Sequence, residues 1–363
     1  MDIGMTKSYI YTLANRIPHL AFIVLLPLAY FEIGGVYFHA CIGVAFLLFV
    51  VFRIVWGVLG SRYSRFWDFH FKGLGQYLLG IFGKKPFYIA HNPASSIAVI
   101  LMLFFGVVVC LSGLMLWGER EHGGVFSYLY FCPIGYLKEI HEISANALIF
   151  VVIAHICGVV IDKIFHKTDT LNAIFTGYRS TPTDKSVKLI KFQTLFCVFY
   201  CLLAFVVMIS LFFGSNPLLG VDKTLPPYSY SQAQKLYIKE CGSCHITYAP
   251  YTLGTKAWEK MMGELENHFG DDASLDEEDR IEIEKFLLAN SAQHISTFLS
   301  PKIQEESPLV FSQSRLFEKI HHKIPQSAFA SKEIKSKANC QNCHQNAQEG
   351  YFSKSALKEA RRY

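Results

Sequence analysis

The chain has 363 residues, enough for two or three domains, and 52% of them are hydrophobic while only 17% are charged. Its formal net charge is +5 at pH 7, but no basic stripe with interleaved aromatic residues accompanies that charge, so nothing indicates nucleic-acid binding. Apolar runs dominate residues 1–214, whereas residues 215–363 hold most of the acidic side chains. The composition therefore predicts a membrane-embedded first part and a soluble tail.

Several stretches of the first part are apolar enough to span a bilayer, which requires about 20 residues. We predict spans at residues 10–32, 37–59, 95–117, 139–164 and 189–213. Arg16, His19 and Pro27 interrupt the first span, so a cleaved signal peptide is the alternative there. We favour a retained helix because the apolar stretch is long and no A-x-A-like cleavage site follows it.

The loops between these spans differ in positive charge. The 60–94 loop carries Arg62, Arg65, Lys72, Lys84 and Lys85, and the 165–188 loop carries Lys167, Arg179, Lys185 and Lys188. The 118–138 loop has only Arg120 and Lys138. Because positively charged loops stay on the cytoplasmic side, the pattern predicts a multi-pass protein of the bacterial inner membrane with a cytoplasmic N-terminus and a periplasmic tail.

The tail contains the spacing C-x-x-C-H twice. The first motif is Cys241, Cys244 and His245, and the second is Cys340, Cys343 and His344. This spacing is typical of covalent haem c attachment, which takes place outside the cytoplasm. A redox dithiol or a disulfide is the alternative for such a pair of cysteines. Two motifs in one exported segment favour two haems c.

Four histidines lie within the predicted spans, where ionisable residues are costly and are candidates for function: His19, His39, His141 and His155. His141 and His155 are 14 residues apart, about four helical turns, so they share one helix face at two membrane depths. The predicted topology places His39 level with His141 near the outer surface, and His19 level with His155 near the inner one. Zinc would need three or four ligands at one place, so the two pairs favour two bis-histidine haems b. For any single histidine, a hydrogen bond to a neighbouring helix is the alternative.

Two further residues of the second span are candidates for haem packing. Gly43 lies one turn after His39 and would let a flat macrocycle approach the helix. Arg53 lies 14 residues after His39 on the same face and could reach a propionate of the inner haem. An arginine that only extends its charge towards the membrane surface is the alternative for Arg53.

The first part resembles the bacterial cytochrome b-561 family, which includes the haem b subunit of nickel–iron hydrogenases. The resemblance covers about residues 8–180 and rests on H-x-x-x-G from His39, R-x-x-W-G from Arg53, H-N-P-A from His91 and the two histidines of the fourth span. It implies that the four matching histidines bind two haems b and that the bundle exchanges electrons with quinone. We interpret four other histidines as surface or interfacial residues: His70, His91, His122 and His166.

Each haem c needs a sixth ligand, usually histidine or methionine. The candidates in the tail are Met261, Met262, His268, His294, His321 and His322. Residues 228–353 resemble the dihaem cytochrome c family through "CGSCHITYAP", "HFGDDASLD", "RLFEKIHHKI" and "ANCQNCHQNAQEGYF". The resemblance implies bis-histidine haems with His268 and His321 as sixth ligands and His322 in reserve; which histidine serves which haem stays open.

The sequence thus predicts an all-α protein. A transmembrane four-helix haem b bundle (8–180) is followed by a fifth, anchoring helix (187–214), a linker (215–227) and a small, mostly helical dihaem cytochrome c domain (228–363). It would transfer electrons between membrane quinone and a periplasmic cytochrome or oxidoreductase subunit. The sequence shows no catalytic acid–base pair and no open metal site. Whether the protein has quinol:cytochrome c oxidoreductase activity is left open. The alternatives are a cytochrome subunit of a larger oxidoreductase and a terminal reductase or oxidase with an exposed haem.

Overall fold

The computed structural model describes residues 5–32, 34–80, 88–211, 213, 216–220, 222, 226, 228, 231–344, 346–347 and 349–352. Lys84, Lys85, part of the predicted linker and the end of the predicted tail domain lie outside the described residues. The described chain is mostly helical and divides into two compact units. The first unit contains the chain up to Leu114 together with Tyr136–Asn216, and the second contains Met115–Gly135 and the chain from Pro217 onward.

The helices of the first part follow the apolar runs of the sequence. In chain order they are α1 (Leu13–Tyr30), α2 (Val36–Leu59), α3 (Leu74–Leu79), α4 (Pro93–Glu121), α5 (Leu137–His166), α6 (Thr170–Thr176) and α7 (Lys191–Ser210). Within the described chain, five of them (α1, α2, α4, α5 and α7) are long and apolar enough to cross a membrane, as the sequence predicts. The helix α1 contains Pro18 and Pro27, each of which removes one backbone donor from the helix.

The core of the first unit lies between α2, α4 and α5. Phe46 and Val50 of α2 are buried against Leu103 of α4 and Leu148 of α5. Gly106 lets α4 approach α2 closely, because a Cβ added there would lie 3.3 Å from a methyl group of Val50. This close packing fixes the positions of the helices that carry the intramembrane histidines.

The fifth long helix, α7, packs on α2. The hydroxyl of Tyr200 donates a hydrogen bond to the carbonyl of Leu48 at 2.5 Å, and its ring lies 5.1 Å from that of Phe52. Near the other end of α7, the side-chain amide of Gln193 donates to the carbonyl of Leu59 at 3.0 Å. The contacts join α7 to the helix that carries His39.

A short antiparallel ribbon that the sequence analysis did not predict joins the two ends of the cytochrome b-561-like stretch. It pairs β1 (Thr6–Tyr9) with β2 (Tyr178–Thr181), so that Thr6 faces Thr181 and Tyr9 faces Tyr178. Both strands are only four residues long, and four-residue segments without clear alternation carry little strand signal in a sequence.

The second unit is built from shorter helices. In chain order they are α8 (Gln232–Cys241), α9 (Thr255–Gly263), α10 (Glu277–Ala289), α11 (Ser300–Glu306), α12 (Arg315–Ile320) and α13 (Gln326–Phe329). Tyr237 of α8, Trp258 of α9, and Ile283 and Leu287 of α10 are buried together and form the centre of its core. Burial of these large apolar side chains stabilises the unit.

The segment between α4 and α5 also belongs to this second core. Tyr130, which is only 2% exposed, is a member of the same buried cluster. The backbone N–H of Gly124 donates to the carbonyl of Gly220 at 2.8 Å, and that of Asp222 donates to the carbonyl of His122 at 2.8 Å. We call residues 115–135 the outer loop segment. It is a structural part of the tail, although it connects two long apolar helices.

Candidate functional site

His39 of α2 and His141 of α5 face each other, with ring centres 6.1 Å apart. The Nδ1 atom of His39 lies 3.0 Å from the carbonyl of Ala29, and that of His141 lies 3.0 Å from the carbonyl of Val109. A carbonyl can only accept, so both Nδ1 atoms carry the hydrogen and donate it. This leaves each Nε2 with an unprotonated lone pair, which is the form that binds a metal.

The separation of these rings is suited to one metal ion between them. Metal–imidazole bonds of about 2 Å on opposite sides of one metal place the ring centres about 6 Å apart. Gly43, one turn from His39, offers room beside the pair, because a Cβ added there would meet no atom within 4 Å. The histidine pair and the open face at Gly43 fit a haem.

His19 of α1 and His155 of α5 are the residues predicted to form the second intramembrane pair. The Nδ1 atom of His19 is buried and has no hydrogen-bond partner among the described residues. A buried polar nitrogen without a partner is costly, so the ring of His19 fits a role in binding a further group.

The guanidinium of Arg53 lies between two aromatic rings. Its central carbon is 5.4 Å from the ring centre of Phe66 and 5.8 Å from that of Phe69. The Nη1 atom is buried and lacks a hydrogen-bond partner among the described residues. An arginine that merely reached the membrane surface would place its charged nitrogens in water. The buried Nη1 instead favours a carboxylate partner such as a haem propionate.

In the tail, the first C-x-x-C-H motif lies at the C-terminal end of α8. Its histidine, His245, has its ring centre 6.2 Å from that of His268, and the two rings are nearly parallel. The Nδ1 atom of His245 lies 2.7 Å from the carbonyl of Ile246, which again leaves Nε2 as the metal-binding nitrogen. His268 follows α9, so the structure pairs the first motif with this histidine.

The second motif shows the same spacing. The ring centres of His344 and His321 are 6.2 Å apart. His321 stacks on Phe317 at 4.1 Å, and its Nδ1 atom lies 2.9 Å from the carbonyl of the same residue. His322, the reserve candidate, is exposed and contacts the carbonyl of Lys319 instead.

Neither cysteine pair of the two motifs forms a disulfide. Burial raises the pKa of the Cys241 and Cys340 thiols to about 11. Because the thiolate is the reactive form in dithiol exchange, protonated thiols at neutral pH do not favour a redox dithiol. The buried thiols of Cys241 and Cys340 therefore do not favour dithiol exchange at the two motifs.

The other candidate ligands lie elsewhere. Met262 is buried in the core of the second unit beside Trp258, and His294 is exposed. Neither of these two residues faces a C-x-x-C-H histidine in the ring contacts described above.

Of the two interpretations of His122, surface or interfacial, the surface one is wrong, because its side chain is buried and stacks on Tyr351 with ring centres 4.1 Å apart. Its neighbours in the chain are polar or small, so no periodic apolar pattern in the sequence indicated burial.

Paired histidines in an apolar helical unit, and two C-x-x-C-H motifs that each face a further histidine, define a membrane haem electron-transfer protein. Residues 6–177 match the family model of prokaryotic cytochrome b561, and residues 237–352 match that of dihaem cytochrome c. Its membrane part is thus similar to prokaryotic cytochrome b561, and the chain belongs to the dihaem cytochrome c family through its tail. It is a multi-pass bacterial membrane protein that binds haem b and haem c.

Solved structures are similar to the tail. The dihaem cytochrome c of Shewanella baltica OS155 is 30% identical, and the match covers 35% of this chain and 94% of that chain with a TM-score of 0.30. A dihaem cytochrome c from Rhodobacter sphaeroides is 35% identical over 32% of this chain and 95% of its own, also with a TM-score of 0.30. A search of curated proteins finds no significant match.

Proposed function

We propose that this protein transfers electrons between membrane quinone and a periplasmic redox partner through two haems b and two haems c. The observation that carries the proposal is the repeated histidine geometry. Three pairs from different parts of the chain have ring centres 6.1, 6.2 and 6.2 Å apart. Unrelated packing contacts would not be expected to repeat one separation that suits two imidazoles on one metal.

In this proposal the membrane part holds two haems b. His39 and His141 bind the outer iron, and His19 and His155 bind the inner one. Arg53 neutralises a propionate of the inner haem, and Gly43 provides room for the macrocycle of the outer one. When bound, each haem supplies a one-electron couple of ferric and ferrous iron. The residues of the chain fix the ligand orientation and the local charge.

The tail holds two haems c through thioether bonds. The cysteines Cys241, Cys244, Cys340 and Cys343 would attach them, and their irons would be held by His245 with His268 and by His344 with His321. Two protein ligands on each iron leave no open coordination position for a substrate. This supports electron transfer over a terminal reductase or oxidase with an exposed haem.

The positive loops support a cytoplasmic N-terminus and a periplasmic tail. Fusion of alkaline phosphatase after Asn216 should give active enzyme, because the phosphatase folds only outside the cytoplasm. Fusion after Lys72, in a positive loop, should give inactive enzyme. The opposite pattern of activities would contradict the proposed orientation.

Quinone is the proposed membrane substrate, and a periplasmic cytochrome or oxidoreductase subunit is the proposed partner. Addition of a quinol analogue to purified protein should reduce the haems b and then the haems c in optical spectra. Dithionite, which reduces all haems without a specific site, serves as the control. Reduction by dithionite but not by any quinol would overturn the quinone part of the proposal. Copurification of an unrelated periplasmic subunit would favour the role of a cytochrome subunit in a larger complex.

A further inference from the structure

The outer loop segment contacts the end of the described chain through a cluster of aromatic rings. His122 stacks on Tyr351 with ring centres 4.1 Å apart and planes 13° from parallel. Tyr130 lies edge-on to Tyr351 at 5.5 Å. His122, Tyr130 and Tyr351 are each no more than 3% exposed, so these contacts belong to a packed interior.

Tyr130 also contacts the backbone beside the second C-x-x-C-H motif. Its hydroxyl accepts a hydrogen bond from the N–H of Phe352 at 3.4 Å. The same hydroxyl lies 3.3 Å from that of Tyr251, which in turn donates to the carbonyl of Gly350. A phenol of the outer loop segment therefore fixes the backbone at residues 350–352.

Phe352 connects this contact to a haem ligand. Its ring lies 5.7 Å from the ring of His344 with an interplanar angle of 79°, which is an edge-to-face contact. Tyr351 ties the same segment back to the motif, because its N–H donates to the carbonyl of Asn346 at 2.9 Å. A shift of the Phe352 backbone would thus move an aromatic ring that contacts the imidazole of His344.

The first motif has a different environment. In the part of the chain that the structure describes, the rings in contact with His245 are those of Tyr248 and His268, at 5.8 and 6.2 Å. Both residues come from the tail itself. The hydroxyl of Tyr248 donates to the carbonyl of Ala338, which is also in the tail. The outer loop segment therefore reaches the ligand sphere of the second motif more directly than that of the first.

We propose that Tyr130 is a positioning residue for the second C-x-x-C-H site and not for the first. The inference rests on the proposed function. Tyr130 sets the orientation of His344 through Phe352.

The test uses two variants of the full-length protein, each with a single haem c. Cys241→Ala with Cys244→Ala leaves only the second motif, and Cys340→Ala with Cys343→Ala leaves only the first. Tyr130→Phe, which removes one hydroxyl, should shift the midpoint potential and the low-spin EPR signal of haem c in the protein with only the second motif. It should leave both unchanged in the protein with only the first. A shift confined to the first motif, or equal in both, would overturn the positioning role.

Tyr128→Phe is the matched control, since Tyr128 lies in the same segment and its side chain is 60% exposed. It should change neither signal. If Tyr130→Phe does not yield folded protein, Phe352→Leu removes the ring edge at His344 without changing the outer loop segment. Phe352→Leu should give the same selective shift, and no shift in this variant would contradict the inference.

Quinol reduction of the wild-type protein separates this inference from the proposed function. A failure of quinol to reduce any haem in the wild type, with the Tyr130→Phe shift still present, would refute the proposed quinone function but not the positioning role.

Discussion

The membrane unit and the tail present histidine pairs of nearly the same separation but hold them in different ways. His39 and His141 come from α2 and α5, and their Nδ1 atoms are anchored on carbonyls of Ala29 in α1 and Val109 in α4. Four helices thus contribute to one pair. In the tail, two cysteines and one histidine lie within five consecutive residues, and only the second histidine comes from elsewhere.

The two regions therefore differ in what would retain a bound haem. A site held only by axial ligands and helix packing depends on every ligand, because no covalent bond retains the group when one ligand is lost. A site with thioether bonds keeps its group and changes only its coordination. Axial histidines should therefore be essential for occupancy in the membrane unit and only for spin state in the tail.

Loss of an axial histidine should produce the largest contrast between the two regions. His141→Ala should remove one extractable haem b, and His39→Ala should remove the same spectral component because both ligate one iron. His268→Ala should retain both covalent haems c but convert one to a high-spin form. Acid extraction of haem and optical spectra measure these effects, with His70→Ala in the membrane part and His294→Ala in the tail as controls. If His39→Ala removed the component lost in His155→Ala, the assignment of pairs would be wrong.

Larger side chains at Gly43 test whether a haem occupies the space beside His39 in the membrane unit. A Cβ at Gly43 meets no atom within 4 Å, so Gly43→Ala should fold normally. Gly43→Leu would fill the space beside His39 and should lower the haem b content to about one per chain by steric exclusion. Full haem b content in Gly43→Leu would show that no macrocycle occupies this face.

Backbone packing at Gly124 tests whether the outer loop segment is part of the tail. Gly124 has a φ of +67°, and a Cβ there would lie 2.0 Å from the carbonyl oxygen of Leu218. Gly124→Ala should lower the free energy of unfolding by about 2 kcal/mol or more through strain and steric clash. Gly135→Ala is the matched control, because a Cβ at Gly135 meets nothing within 4 Å. Equal thermal stability of the two variants would contradict the packing described for the outer loop segment.

The smallest expected effect is the pH dependence that His122 adds to the stability of the tail. Burial lowers the pKa of His122 below its ordinary value of 6.5, and Asp222 opposes this shift in part. Between the two pKa values the unfolded chain binds more protons, so the free energy of unfolding rises with pH. The contribution is complete above about pH 6.5 and is lost as the pH falls.

His122→Asn isolates this contribution. Asparagine tolerates the φ of 53° at this position, and its amide can donate to the carbonyl of Asp222 as Nδ1 of His122 does at 3.0 Å. The variant should flatten the dependence of unfolding free energy on pH by at most about 1.4 kcal/mol per pH unit. An unchanged slope in denaturant titrations between pH 5 and 7 would mean that His122 titrates alike in both states.

Much of the fold could be predicted because its signals are local. Five apolar runs predicted the five long helices, since a bilayer imposes a length that a sequence displays directly. The C-x-x-C-H motifs and the 14-residue spacing of His141 and His155 predicted candidate ligands from chemistry and helix geometry alone. These features depend on residues within one element.

The rest depends on contacts between distant segments. The pairing of His268 with His245 and of His321 with His344 was left open because several tail histidines have the same chemistry. The packing of Tyr130 into the tail core could not be predicted, since a loop sequence gives no sign of its distant partner. The β1–β2 ribbon was missed because its two four-residue strands carry little strand signal.

The measurement that tests the account most directly is the haem content and spin state of the purified protein. Extraction and pyridine haemochrome spectra should give two non-covalent haems b and two covalent haems c per chain, and EPR should show all four irons low spin with two axial histidines each. One haem b per chain, or a high-spin iron in the intact protein, would contradict the four paired-histidine sites.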